Sequence, residues 1–125
     1  MVVMSRIVVA LIGALFLGIG ASLIFNTADA AATMGLPNLE AAGYGTVRAD
    51  IGGFFLGGGL IGVVAAFRKN AELLWPVQLL VAIAFFGRVF TLWVDGPIAA
   101  GLDSMGVEMT ILAVLFWAKR AWEKA

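Results

Sequence analysis

Four apolar runs dominate this chain, and each approaches the length that crosses a lipid bilayer. A helix of about 20 mainly apolar residues spans the hydrocarbon core. The runs cover residues 7–25, 51–67, 73–94 and 102–119. Backbone polar groups inside a bilayer must be paired within their own segment, so these runs predict helices. We therefore expect an all-α membrane protein, a four-transmembrane-helix bundle that residues 1–125 form as a single domain.

Composition excludes several classes of chemistry. Of the 125 residues, 62% are hydrophobic and only 13% are charged, whereas about a quarter are charged in soluble domains. The formal net charge is zero, which gives no support to a nucleic-acid partner. Cysteine and histidine are both absent, which removes disulfides, thiolate metal sites, the usual haem ligand and the usual catalytic base. We expect no cofactor, no metal site and no catalytic residue, although a lipid-modifying enzyme stays open as a minor alternative.

Basic residues predict the orientation of the bundle. Six of the eight fall on the side shared by the two ends of the chain and the middle loop: Arg6, Arg68, Lys69, Lys119, Arg120 and Lys124. By the positive-inside rule, both termini are then cytoplasmic. The connection over residues 26–47 becomes the longer of two external loops.

This first external loop carries its own signals. Residues 28–34 are expected to form a short surface helix, while Pro37 and the glycines at 43 and 45 are expected to break the chain. Ala28-Asp29-Ala30 also resembles a signal-peptidase site. However, the preceding apolar run is longer than a usual signal core, so we expect it to be retained as a span.

Small residues at four-residue steps predict close helix packing in the first two spans. Lipid provides no hydrophobic drive for helix association, so close backbone approach becomes the main source of contact. Such faces serve either packing within one chain or an interface with a second copy or another subunit. The residues concerned are Ala14 and Gly18 in the first span and Gly53, Gly57, Gly58 and Gly62 in the second.

Arg88 lies inside the third apolar run, where a charge is costly. A guanidinium stays protonated in proteins, so at this depth it must meet an anion or reach interfacial water. Glu108 lies at a similar depth in the fourth run, and the short connection over residues 95–101 makes these two spans antiparallel neighbours. We expect Arg88 and Glu108 to pair. Asp95 shares the helix face of Arg88, two turns nearer the water.

Further charges near the start of the second span extend this group at the same membrane level. Asp50 would also be favourable there, close to a helix N-terminus. The cluster is expected either to bind a ligand, such as a lipid headgroup or small anion, or to form an ion-pair network that sets helix register. A conduction route and a divalent cation site are weaker alternatives. Its members are Arg48, Asp50, Arg88, Asp95 and Glu108.

The same residues carry a resemblance to a known family. Arg48-Ala49-Asp50-Ile51-Gly52-Gly53, then Gly87-Arg88, Asp95-Gly96 and Glu108 follow in order the pattern of a bacterial four-span family known only as domain of unknown function 4345. The resemblance covers nearly the whole chain. It implies a multi-pass protein of the bacterial inner membrane with a shared polar site, and it implies no reaction. Many members carry an aromatic residue before the paired glycines, where this chain has Ile51. Any role that the aromatic residue has in those members is therefore not expected of this chain, whereas the arginines are present.

Two main functions remain open from the sequence, beside the minor alternative of a lipid-modifying enzyme. The first is a non-catalytic accessory or structural subunit that packs with other membrane helices or forms a homo-oligomer among membrane lipids. The second is a small solute-binding, lipid-binding or transport bundle that uses the outward-facing polar site. Small proton-coupled exporters with four spans resemble the second type but carry a carboxylate in their first span, and residues 7–25 contain none.

Overall fold

A computed structural model describes residues 1–124 of the chain, and every regular element within them is helical. This confirms the all-α prediction. A 3₁₀ turn over Ala71–Leu73 is capped by Asn70, whose side-chain Oδ1 accepts a hydrogen bond of 3.0 Å from the backbone N–H of Glu72. The elements are α1 (Val2–Phe25), α2 (Thr27–Thr33), α3 (Ala41–Thr46), a π-helical turn (Val47–Ile51), α4 (Gly52–Arg68), the 3₁₀ turn (Ala71–Leu73), α5 (Leu74–Asp95) and α6 (Ala99–Lys124).

Four helical stretches are long and apolar enough to cross a membrane: Val2–Phe25, Ala41–Arg68, Ala71–Asp95 and Ala99–Lys124. Each contains one of the four predicted runs and extends beyond it. The 24 residues of the first stretch rise about 36 Å, which exceeds the roughly 30 Å of a hydrocarbon core. The four-span prediction is therefore confirmed at the level of helix number and hydropathy.

The predictions for the first external loop are confirmed in part. The short helix expected at 28–34 is present as α2. The glycine cluster around Tyr44 lies inside α3, so the expectation that it would break the chain is wrong. This segment stays helical because it continues directly through the π-helical turn into α4, and Val47 is buried at the junction.

The closest helix pair is α1 with α4, and glycine makes it close. A Cβ built on Gly13 would lie 2.8 Å from the backbone oxygen of Gly59, and a Cβ on Gly59 would lie 2.7 Å from the backbone oxygen of Gly13. At Gly20 the space of a Cβ is instead filled by the side chain of Leu56, whose Cγ would lie 2.7 Å away. Gly13 and Gly59 differ from this because each meets backbone. Two helix backbones can approach this closely only where neither carries a side chain.

The core occupies one half of the bundle. Its buried residues on α5 are Leu74, Val77 and Val81, and those on α6 are Ile111, Leu115, Ala118 and Trp122. These side chains surround Val9 and Phe16 of α1 and Ala65 and Ala66 of α4. The half of α5 and α6 beyond this core, residues 82–110, contains no buried residue. At the other end a second, smaller cluster of buried residues, Leu23, Ala31 and Val47, joins α1, α2 and the π-helical turn. Helices α5 and α6 contribute no residue to this second cluster.

The two ends of the bundle carry opposite charge. The basic end, where α1 and α5 begin and α4 and α6 end, holds six basic residues and two acidic ones, Glu72 and Glu123. The acidic end holds the other six acidic residues together with Arg48 and Arg88. The neutral total therefore conceals a strongly dipolar distribution of charge along the bundle.

Candidate functional site

Arg88 and Glu108 are in contact, in the pairing that equal depth predicts. The Nε of Arg88 donates to Oε1 of Glu108, which links α5 to α6 within residues 82–110, where neither helix has a buried residue. The side chain of Arg88 is 45% exposed, whereas that of Glu108 is 12% exposed. The pair therefore presents a cationic edge on the outside and keeps its carboxylate inside.

The second oxygen of Glu108 has unused hydrogen-bonding capacity. Oε2 is buried and has no hydrogen-bond partner within residues 1–124. An ionised carboxylate offers several lone pairs, and leaving one oxygen buried without a donor is costly. Among residues 1–124 this oxygen is the one buried side-chain nitrogen or oxygen without a partner, and it could accept a hydrogen bond from an additional group without breaking an existing contact.

Arg48 belongs to a separate arrangement at the same end. Its Nε donates to Oγ1 of Thr27 at 3.0 Å, and Thr27 is buried and donates in turn to the backbone oxygen of Leu23 at 2.7 Å. The guanidinium carbon of Arg48 lies 5.5 Å from the ring centroid of Tyr44, a cation–π geometry. Arg48 therefore ties the π-helical turn to the junction of α1 and α2.

Asp50 and Asp95 stand apart from both groups. Each is exposed, and within the described part of the chain neither takes part in an ion pair. The helix that contains Asp50 begins at Ala41, so the expected helix N-terminus near this carboxylate is not there. The structure thus brings together Arg88 and Glu108 and leaves Arg48, Asp50 and Asp95 outside that pair.

The predicted packing glycines divide between two faces of α4. Gly58 lies 3.5 Å, measured from an added Cβ, from the ring of Phe16, and Gly62 lies 3.7 Å from Cα of Gly13. Gly53 and Gly57 have no such neighbour within 4 Å. On α1, Gly18 likewise has none, and Ala14 is exposed.

Beside Gly58 and Gly62, the α1–α4 crossing contains four buried glycines that were not predicted. They are Gly13 and Gly20 on α1, and Gly52 and Gly59 on α4. Both pairs are separated by seven residues rather than four. Residues seven positions apart lie on the same side of a helix after two turns, so this spacing is typical of two helices that stay in contact along one line. The spacing is visible in the sequence and could have predicted these contact residues.

Two polar contacts at the basic end were also missed. Arg6 donates from Nε to the backbone oxygen of Ala66 at 2.7 Å and from Nη2 to that of Phe67 at 2.8 Å. Trp122 donates from Nε1 to Oγ of Ser5 at 3.0 Å, and both residues are buried. These contacts join the start of α1 to the ends of α4 and α6.

The arrangement offers binding surfaces more readily than reactive groups. Among residues 1–124, no three His, Cys, Asp or Glu side chains are grouped so that they could hold a metal ion. At the acidic end the exposed part of Arg88 is an available donor, and Oε2 of Glu108 and the exposed carboxylates of Asp50 and Asp95 are available acceptors.

The family model described as "Domain of unknown function (DUF4345)" matches residues 4–119. The match includes all of α4 and α5, most of α1 and α6, and every member of the polar cluster. No curated protein and no solved structure matches the chain.

Proposed function

The chain belongs to the DUF4345 family, and we propose that it is a non-catalytic accessory or structural subunit of the bacterial inner membrane. Its partner in this proposal is another membrane protein, whose helices pack against the free halves of α5 and α6. Both termini would lie in the cytoplasm, as the excess of basic residues at their end of the bundle favours.

One observation carries this proposal: residues 82–110 contain no buried residue, although they include an ion pair. Burial differs among the most apolar 18-residue segments of the four candidate spans. In the first two spans 28% and 33% of this segment is buried, whereas in each of the last two only 11% is buried. Exposed apolar residues alone would suit lipid. A half-exposed guanidinium suits lipid tails poorly, and polar groups in spans are usually satisfied by other protein groups.

The exposed surface has the composition of a helix interface. It contains large apolar side chains, among them Phe86, Phe90 and Val107, beside Gly87 and Gly106, which have no neighbour within 4 Å of an added Cβ. Large side chains beside small ones allow a partner helix to interdigitate closely. Arg88 would then provide hydrogen-bond donors to the partner at the centre of this surface.

Photocrosslinking in native membranes tests the proposal. A photoreactive residue at Phe90, which is 61% exposed on α5, should give a protein adduct of one defined mass. The same residue at Val107 of α6 should give the same adduct, because in this proposal one partner covers the free halves of both helices. Leu60 of α4, which is 57% exposed, is the matched control and should give lipid adducts only.

Lipid adducts alone at Phe90 and Val107 would refute the proposal. An adduct between two copies of the chain would show that the surface is an interface of a homo-oligomer and would exclude the accessory role. A partner adduct that persists when Arg88 and Glu108 are both changed to Leu would show that apolar packing, rather than the polar pair, holds the partner.

A ligand-binding or transport bundle is the second candidate, favoured by the unpartnered Oε2 of Glu108. A small ligand with a hydrogen-bond donor could occupy that position beside the exposed edge of Arg88. Native mass spectrometry distinguishes the two proposals: a retained small mass that disappears in Arg88→Leu supports a ligand. Retention of a polypeptide supports the accessory role.

A further inference from the structure

A groove runs along the outside of the bundle at the basic end, between α1 and α4. Its volume is about 350 Å³, within the range of small-molecule sites. Residues from one face of α1, including Arg6, form one wall, and Ala66 and Phe67 of α4 form the other. This groove is separate from the surface over residues 82–110, because α5 and α6 contribute nothing to it.

Arg6 is held in a fixed position at the edge of this groove. Its Nε and Nη2 donate to the last backbone oxygens of α4, Ala66 at 2.7 Å and Phe67 at 2.8 Å, groups that a helix end otherwise leaves unpaired. Its Nη1 forms no hydrogen bond within residues 1–124 and is not among the buried unpaired atoms. The guanidinium is therefore already ordered and keeps an accessible donor.

The rest of the groove is apolar and elongated. Val3, Ile7 and Leu11 follow one another at four-residue steps on α1, and all three are exposed. From Val3 to Leu11 this apolar strip extends about 12 Å along the helix. Because α1 is long enough to cross the bilayer, a chain that follows the strip would run alongside the lipid tails.

The charges around the groove favour an anionic ligand. Arg6 is the one charged residue that lines it, and Arg68 immediately follows Phe67. The basic end as a whole carries six basic residues against two acidic ones. Such an excess attracts anionic headgroups at a membrane surface, with about 1 kcal/mol for each nearby basic residue.

We propose that this groove binds one anionic phospholipid, with its phosphate on Arg6 and an acyl chain along Val3, Ile7 and Leu11. A guanidinium that already donates two hydrogen bonds to protein loses little side-chain freedom when it binds the phosphate, which favours a defined site over general attraction. The proposal is independent of the partner surface on α5 and α6, and either can fail without the other.

Native mass spectrometry of the whole chain tests it, with the protein released from bilayers that contain equal amounts of phosphatidylglycerol and phosphatidylcholine. The wild type should retain one phosphatidylglycerol in preference to phosphatidylcholine. Arg6→Gln should lower that preference by about tenfold, the loss of one charge-assisted hydrogen bond. Lys119→Gln removes an equal charge from the same end outside the groove and should keep the preference.

A second comparison leaves Arg6 and its bonds to α4 intact, which matters because Arg6→Gln also removes a helix cap. Val3→Ala with Ile7→Ala shortens two groove side chains, and Met4→Ala with Leu15→Ala shortens two exposed side chains of α1 outside it. The first variant should lose retained lipid and the second should not.

Any of four results would overturn the proposal. The first is equal retention of the two lipids by the wild type. The second is an equal effect of Arg6→Gln and Lys119→Gln. The third is an equal effect of the two alanine pairs, and the fourth is a polypeptide retained in the groove in place of lipid.

Discussion

Three consecutive glycines on α4 provide a graded test of the α1–α4 contact. Gly57, Gly58 and Gly59 gain the same helix propensity on mutation to alanine, about 1 kcal/mol in water, yet they meet different surroundings. An added Cβ meets nothing within 4 Å at Gly57 and the ring of Phe16 at 3.5 Å at Gly58. At Gly59 it meets the backbone oxygen of Gly13 at 2.7 Å and the backbone nitrogen of Leu17 at 2.9 Å.

The magnitudes follow from what can move. At Gly57 the new methyl group has free space, and at Gly58 it lies at an ordinary contact distance, so both variants should be as stable as the wild type or more so. At Gly59 the obstacles are backbone atoms, which cannot rotate away as a side-chain end can. The two helices must separate, and overpacking of this kind costs about 1–3 kcal/mol.

Reversible unfolding of the three variants in one detergent, followed by tryptophan fluorescence, gives the order of stability. We expect Gly59→Ala to lie about 1–3 kcal/mol below Gly57→Ala, with Gly58→Ala close to Gly57→Ala. Gly13→Ala should resemble Gly59→Ala, since an added Cβ there lies 2.8 Å from the backbone oxygen of Gly59. Equal stability of Gly57→Ala and Gly59→Ala would refute the close backbone contact.

Three further variants probe the polar contacts of the bundle. Arg88→Leu leaves the mostly buried carboxylate of Glu108 without its donor and should cost roughly 1–3 kcal/mol of unfolding free energy, while the double change to Leu should restore part of it; a double-mutant cycle measures the coupling. Ser5→Ala removes the acceptor of the buried Trp122 N–H and should cost about 1–3 kcal/mol, measured by the same unfolding. Thr27→Val removes the hydroxyl that accepts from the guanidinium of the π-helical turn and should cost about 1–2 kcal/mol, with faster hydrogen exchange in that turn.

Controls for these variants lie in the same chain. Ser22→Ala and Thr110→Val remove hydroxyls that are exposed and donate only to a backbone oxygen of their own helix, so both should be nearly neutral. An additive double-mutant cycle at Arg88 and Glu108 would contradict a direct ion pair. A Thr27→Val variant with unchanged exchange in the turn would show that Arg48 does not hold it.

Hydropathy and charge determined the coarse architecture. The number of helices and their approximate extent could be predicted because each apolar run must satisfy its own backbone hydrogen bonds inside a bilayer, which is a local requirement. The depth of Arg88 and Glu108 followed from counting residues along two neighbouring helices, and this is enough to bring the two side chains together. Family membership followed from the same short patterns, which the match over residues 4–119 confirms.

Which face of each helix packs could not be read from the chain alone. Small residues surround α4 on several sides, and in lipid no difference in polarity marks the inner face. The choice of Gly59 over Gly57 therefore depends on how α1 crosses α4, a contact between residues more than 40 positions apart in the chain.

In the polar cluster too, some contacts follow from position along a helix and others only from the packing of the helices. The π-helical turn changes the direction in which side chains point around Arg48, and that guanidinium meets Thr27 and Tyr44 rather than Asp50. The sequence alone determined which segments are long and apolar enough to cross a membrane and which charges lie at the same level of neighbouring helices, because both depend on position along a helix. Only the tertiary structure decided which groups meet and which faces stay open, because rotation and crossing of the helices depend on the packing of all four together.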